Sequence, residues 1–225
     1  MRTSTGTGWS LVEACCGSSA LSLHLLGARR PLLPYQGSKW RFRHALAAKI
    51  ADLGHEGVPA RIDLHDPGPF GLTIGVVRSQ ASRQDLRFLL DTLSRDEPGA
   101  VFERLNGTRV PERPIQFSAE FLFLQRLSFS GKAVGIKDGR WSSPGFNASS
   151  AYGIAATDRF GQVKPMVPGL LRVLESYDDD LMEVPGVTTS DPAACPTRNP
   201  PPRTVVYLDP PYANSTAYPN GTFPR

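Results

Sequence analysis

The stretch "TVVYLDPPYANS", residues 204–215, opens as a run of β-branched and aromatic residues and stops at a carboxylate, two prolines and a tyrosine. The run reads as a buried strand, and Asp209-Pro210-Pro211-Tyr212 as the turn that ends it. Proline removes a backbone donor at each of positions 210 and 211 and fixes φ there. The turn therefore presents mainly acceptors: the Asp209 carboxylate and backbone carbonyls.

Working outward, "WSLVEACCGSSALSLHLLG" (9–27) has a short apolar run to Glu13, a small-residue turn, and then Ala20, Leu21, Leu23, Leu25 and Leu26. This is the pattern of strand, tight turn and helix. "ARIDLHDPGPFG" (60–71) is a second strand, running out at Asp66 into a Pro-Gly-Pro turn. Three strands ending in such turns predict an open α/β sheet. Ligands of such sheets sit beyond the carboxyl ends of the strands, where the strand order reverses. If the strand ending at Glu13 neighbours the one ending at Asp209, their loops share one crevice.

Between these anchors, Pro34 and Gly37 mark a loop, and a basic, partly amphipathic helix runs from about Ser38 to Gly54. Residues 80–106 carry leucines at helical spacing, and 119–129 predict another helix. Asp138-Gly139 stands between two extended stretches, the dipeptide that favours a tight hairpin. A short helix follows Pro168, and residues 186–203 form a Pro-rich connection with little capacity to pack. No internal repeat is visible.

At 225 residues, 40% hydrophobic and 20% charged, the chain has the composition of a folded protein with a sizeable core. No run approaches the length of a membrane helix and the start is too polar for a signal peptide, so a cytoplasmic protein is expected. Cys15, Cys16 and Cys195 have neither disulfide-framework nor zinc spacing, and no metal is expected. The net charge of +4 rests mostly on arginine, which suits a polyanionic partner.

A turn of acceptors seeks an N–H donor, and the exocyclic amine of a nucleobase is one. Hydrogen bonds from that amine to Asp209 and to the Pro210 carbonyl draw the nitrogen toward a tetrahedral, nucleophilic state. Tyr212 supplies a face on which a base taken out of its stack can rest.

With these residues in view, "VVYLDPPY" resembles motif IV of the amino-methyltransferases that use S-adenosyl-L-methionine, and "LVEACCGSSALSL" resembles their motif I. "PYQGSK" is similar to the cofactor loop of Dam-type (class alpha) DNA adenine methyltransferases. "FLFLQRLSFSGKAVGIKDGRWSSPGF" looks like their target-recognition segment with its hairpin. The resemblance implies a Rossmann-like methyltransferase fold with an incomplete sheet. Residues 1–80 would bind the cofactor, and 81–185 would form an inserted, mostly helical recognition region. Residues 186–203 would be a linker, and 204–225 the last strand and catalytic motif.

It further implies methylation of the 6-amino group of adenine in double-stranded DNA. The catalytic residues would be Asp209, Pro210, Pro211 and Tyr212. The cofactor would be held by Glu13, Cys15, Gly17, Tyr35, Lys39, Asp66 and Asp209, with Lys39 on its carboxylate and Asp66 on its ribose. The DNA contacts would come from Gln125, Arg126, Lys132, Lys137, Arg140 and Asn147, since Arg and Lys suit phosphates or guanine, and Gln and Asn read adenine.

Three departures from the family pattern stand out. Motif I has Cys15, Gly17 and Ser19 where the family has a phenylalanine and two glycines, which predicts a slightly wider turn. The Tyr35–Lys39 loop follows motif I instead of preceding it, an order that keeps the site only if Lys39 lies near Gly17 in space. The chain ends at Arg225, soon after Tyr212, so the strand ending at Asp209 is expected to have an exposed edge and a partial core, as in a truncated product. A non-catalytic cofactor- or DNA-binding remnant, and an enzyme acting on cytosine or RNA, stay open beside the adenine reading.

Overall fold

The computed structural model describes residues 8–14, 17–33, 38–66, 68–148, 151, 166–182, 187–190 and 203–209. In chain order the elements are β1 (Ser10–Ala14), α1 (Ala20–Leu25), a 3₁₀ turn (Lys39–Phe42), α2 (Arg43–Asp52), β2 (Arg61–His65), α3 (Pro69–Arg78) and α4 (Gln80–Leu93). They continue with α5 (Pro98–Leu105), α6 (Pro114–Leu127), β3 (Gly135–Lys137), β4 (Arg140–Ser142), α7 (Met166–Asp180), β5 (Val187–Ser190) and β6 (Thr204–Leu208).

Leu11, Val12, Ile62 and Leu64 are fully buried, and the strands that carry them pair in parallel, Leu11 beside Ile62. β6 pairs with the other side of β1, Val12 beside Val206, and β5 with the far side of β2. The sheet is thus parallel in the order β5-β2-β1-β6. Counted along the chain, its strands lie 3-2-1-4, the first part of a Rossmann-type sheet, with the reversal between β1 and β6. The α/β expectation holds in that form.

One expected linker is in part a strand. Val187-Thr188-Thr189-Ser190 lies inside the Pro-rich stretch 186–203, yet these residues pair with Ile62 to His65 and form one edge of the sheet. Three β-branched or hydroxyl residues after Val187 suit a ladder, and the prolines begin only after them. β6 forms the other edge among the described residues. Val205, Val206 and Tyr207 are half-buried and Leu208 is 56% exposed, in agreement with the exposed edge expected for this strand.

The helical residues pack into the same core as the sheet. α6 is buried around nearly its whole circumference, from Phe117 to Gln125, and packs against α3, α4, α5 and α7. Phe121 touches Phe70 edge-on at 4.8 Å on one side and stacks near Trp141 of β4 at 6.3 Å on the other. One continuous apolar cluster consequently runs from Leu11 of the sheet to Trp141 of the hairpin and Leu181 beyond α7.

Arg83 of α4 is 1% exposed, and its Nε donates to Asp178 of α7 at 2.8 Å while Nη1 donates to the Val77 and Arg78 carbonyls that end α3. Arg87 holds the second oxygen of Asp178 at 2.9 Å. Three helices are thereby fastened by one buried guanidinium.

Several helix boundaries differ from expectation for local reasons. A turn was expected after Asp66, but Gly68 caps α3 and Pro69 takes its first position, where the missing N–H costs nothing. The helix expected over 80–106 is broken at 94–97, because Glu97 caps a new helix that starts at Pro98, its carboxylate accepting from Gly99 N and Ala100 N. α6 starts at Pro114, five residues before the expected start, and α7 runs the whole way from Met166 to Asp180. The hairpin is as expected: Asp138 and Gly139 have φ of 51° and 70°, and both central residues of a type I′ turn require positive φ.

Candidate functional site

Glu13, Asp66 and Asp209 lie at or just beyond the carboxyl ends of three adjacent strands, β1, β2 and β6. The Asp209 N–H donates to the Ala14 carbonyl, extending the ladder one residue and fixing that carboxylate beside the β1 loop. The loop is drawn to β2 by Asp66, whose Oδ2 accepts from Gly17 N and whose Oδ1 accepts from Gly68 N, both at 2.7 Å. Asp66 thus ties the turn after β1 to the start of α3. The packing at that start is close, since a Cβ on Gly71 would lie 3.2 Å from the Asp66 Cβ.

Lys39 completes the group. Ser38 Oγ lies 2.8 Å from Ser18 Oγ and accepts from Trp40 N, which seats the 3₁₀ turn against the β1 loop. From there Lys39 Nζ reaches Asp209 Oδ2 at 3.0 Å, with both side chains about one-fifth exposed. Ser38 and Lys39, which follow the β1 turn in sequence, therefore stand beside Ser18 and Asp209 in space.

Glu13 is buried, and its Oε2 accepts from Ser22 N and Ser22 Oγ in the first turn of α1. Burial pushes its carboxyl up to about 7, the Ser22 hydrogen bonds pull it back, and the neighbouring Asp209 and Asp66 charges raise it further. Expected at the cofactor, Glu13 instead meets α1 among the described residues. It holds the helix to the strand that precedes it.

The turn after β1 accommodates its missing glycine by strain. Gly17 has φ 47°, and Ser19, at the family's second glycine, also has φ 47° with ψ 42°. A left-handed conformation costs a residue with a Cβ about 1–2 kcal/mol. Ser19 is fully buried with its Oγ lacking a hydrogen-bond partner among the described residues.

Cys15, Tyr35, Pro210, Pro211 and Tyr212 lie outside the described residues. Of the expected DNA contacts, Gln125 is corrected. It is 2% exposed, its Oε1 accepts from Val134 N at 2.8 Å and its Nε2 donates to the Lys132 carbonyl at 3.2 Å. Its amide staples the turn between α6 and the hairpin and reads nothing.

Arg126 is half-buried against α7, where a Cβ on Gly169 would meet its Nη2 at 3.4 Å, and burial lowers its pKa. Asn147 is half-buried, its backbone N–H on the Leu127 carbonyl. Lys132, Lys137 and Arg140 are exposed around the hairpin, and Arg140 Nη1 donates to the Gly107 carbonyl at 3.0 Å.

The hairpin is fixed to α6 through Trp141, whose Nε1 donates to the buried Glu120 at 2.8 Å and whose ring packs on Phe117 at 4.8 Å. Beside it, Arg104, Arg109 and Arg113 line an open cleft with Leu105, Gln116 and Glu120. Sequence reasoning passed over these arginines because they lie ahead of the segment that resembles the recognition region. It also passed over Ser18, Ser22 and Ser38. Their signal was a hydroxyl in each loop or first turn that follows an anchoring strand or glycine.

No protein-family model and no curated protein sequence matches the chain. Among the described residues no helix is long and apolar enough to cross a membrane, and no three His, Cys, Asp or Glu side chains are placed to hold a metal.

Proposed function

We propose that the chain is an S-adenosyl-L-methionine-dependent methyltransferase acting on the 6-amino group of adenine in DNA. The observation that carries the reading is the meeting of Gly17, Lys39, Asp66 and Asp209 at the reversal of a parallel sheet, where Lys39 and Asp209 stand 3.0 Å apart. Four positions from four separate sequence stretches would not converge there by motif accident.

The residues present fit the cofactor. Gly17 and Ser19 hold the left-handed turn of a nucleotide-binding loop, and the buried Ser19 hydroxyl lacks a partner among the described residues. Lys39 offers a cation for a carboxylate, and Asp66 offers acceptors beside the β1 loop, its oxygens already oriented by Gly17 and Gly68. When bound, S-adenosyl-L-methionine supplies a methyl group activated by its sulfonium for direct in-line displacement. The protein supplies position and electrostatics.

Asp209 would accept an N–H from the target amine and so raise the electron density on its nitrogen, with the Pro210 carbonyl as the second acceptor; as the N–C bond forms and the S–C bond breaks, the proton that the nitrogen sheds would pass by way of Asp209 to solvent. Lys39 reaches Asp209 here, so an anion that draws the ammonium away releases that acceptor for the amine. Binding at one half of the site then prepares the other half.

The half-buried, edge position of β6 supports a second reading, a protein that binds cofactor or nucleic acid without turnover. Nucleoside mass spectrometry separates the two. DNA from methylation-free cells expressing the chain should contain N6-methyladenine, and DNA from cells expressing Asp209→Ala should not. Absence of the modified base in both, with soluble protein, sinks the enzymatic reading.

A further inference from the structure

The segment Lys39-Trp40-Arg41-Phe42-Arg43-His44 alternates cations with aromatic rings, and no acidic residue occurs from Ser38 to Ala51. Its two layers differ. Trp40 packs against the core, and the Arg43 guanidinium lies 4.6 Å from the centre of its ring while Arg43 Nη1 donates to the Trp40 carbonyl at 2.9 Å. His24 of α1 lies edge-on to both Trp40 and His44, at 6.4 and 4.6 Å. Arg41 and Phe42, by contrast, are exposed, Phe42 by 60%.

The inner contacts seat the turn and leave the Arg41 cation and the Phe42 and His44 rings facing water. Residues three apart eclipse one another on a 3₁₀ helix. Phe42 accordingly stands on the same side of the turn as Lys39, which reaches Asp209. The rise between them is about 6 Å. That is roughly two nucleotide steps along one strand of a duplex, at 3.4 Å each.

We infer that this strip holds the DNA strand that carries the target base: Arg41 contacts its sugar–phosphate backbone, and Phe42 gives a stacking face to a base beside the extruded one. The inference rests on the reading proposed above and extends it to a surface outside the recognition region. A lone exposed phenylalanine needs no explanation. One seated between arginines, on the side of the turn that meets the candidate catalytic carboxylate, has the composition of a single-strand track, in which basic groups follow phosphates and aromatic faces take bases of any sequence.

The test is binding of a fluorescent DNA duplex by the full chain over a series of salt concentrations, with S-adenosyl-L-methionine binding measured by calorimetry as the control. Arg41→Ala should weaken DNA binding and reduce the slope of log K against log salt by about one. Phe42→Ala should weaken binding by about tenfold at every salt concentration and leave the slope unchanged. Both variants should bind the cofactor as the parent does.

Arg95→Ala removes another exposed arginine, two residues beyond the end of α4, and should change neither quantity. If the parent binds DNA and both strip variants match it in affinity and slope, the strip is not the contact. A loss in Arg95→Ala equal to that in Arg41→Ala would reduce the effect to net charge and overturn the inference too. A parent that binds cofactor but no DNA overturns the strip together with the DNA substrate.

Discussion

Carboxylates are handled in opposite ways in the helical body and at the end of the sheet. Asp178 lies between Arg83 and Arg87, within 2.9 Å of each, and every oxygen has an arginine. At the sheet end Lys39 pairs with Asp209, but Glu13 is buried near Asp66 and Asp209 and is pushed up to about 7, by burial first and then by those two charges. Paired charge in the first region fastens helices. Crowded like charge in the second is a cost that packing alone does not require, and such crowding is concentrated where a fold does chemistry.

The largest test of that contrast is Arg83→Ala, which leaves Asp178 without its buried partner and uncaps the carbonyls of α3. Chemical denaturation should show a loss of about 3–5 kcal/mol. A loss below about 1 kcal/mol would mean that the helical body does not depend on its ion pairs, and the comparison would break.

Next comes Glu13→Gln. The native carboxyl titrates near 7 and the reference value is 4.5, so between these pH values the folded state keeps a proton that the unfolded chain has lost. Stability from this group is complete below about pH 4.5 and falls as pH rises to about 7, by on the order of 3 kcal/mol in all. Denaturation at pH 5 and pH 8 should show that fall in the parent and its absence in the variant. Parallel curves would show that Glu13 is not under strain from its surroundings.

Gly27 lies at the seam between the two regions. Its φ is 102°, and a Cβ would stand 2.6 Å from the Asp180 carbonyl oxygen at the end of α7. Gly27→Ala should cost about 2 kcal/mol by thermal or chemical unfolding. The smallest effect has the opposite sign. Ser19→Gly removes a side chain from a left-handed position and should stabilise the protein by about 0.5–1 kcal/mol, the relief outweighing the added freedom of the unfolded chain. An unchanged or lower stability would locate the Ser19 hydroxyl in a contact that offsets the strain.

Much of the sheet end was legible because each anchoring strand combines a short apolar run with a carboxylate and a turn. Glu13, Asp66 and Asp209 could be placed at strand ends from that pattern, whereas the neighbouring of β1 and β6 was only the condition for a shared crevice, and the sheet order meets it. What hid the rest is burial. α3 carries Phe70, Leu72, Ile74, Val76 and Val77 on more than one face, so it shows no helical stripe and reads as part of a turn. Gln125 looked like a base reader because it is polar beside a basic residue. Its actual task, satisfying the backbone of a turn nine residues on, has no local signature.

β5 was obscured by the prolines that follow it, and Arg83 by the expectation that arginines face water. At the site itself, residue types indicated the chemistry, whereas the hydroxyls that position the loops were found only from contacts.

β1 and β6 pair residue for residue, yet Ser10 and Thr204 are separated by nearly the whole described chain. A ribosome adding roughly 5–20 residues per second would have made β1 and the Gly17 turn many seconds before Asp209 emerges. During that interval the nascent protein has the Gly17 turn, Lys39 and Asp66 but lacks Asp209. Long-range parallel pairing of this kind is also the slow part of folding. The order of synthesis thus defers the meeting of Gly17, Lys39 and Asp66 with Asp209 until β6 has docked beside β1.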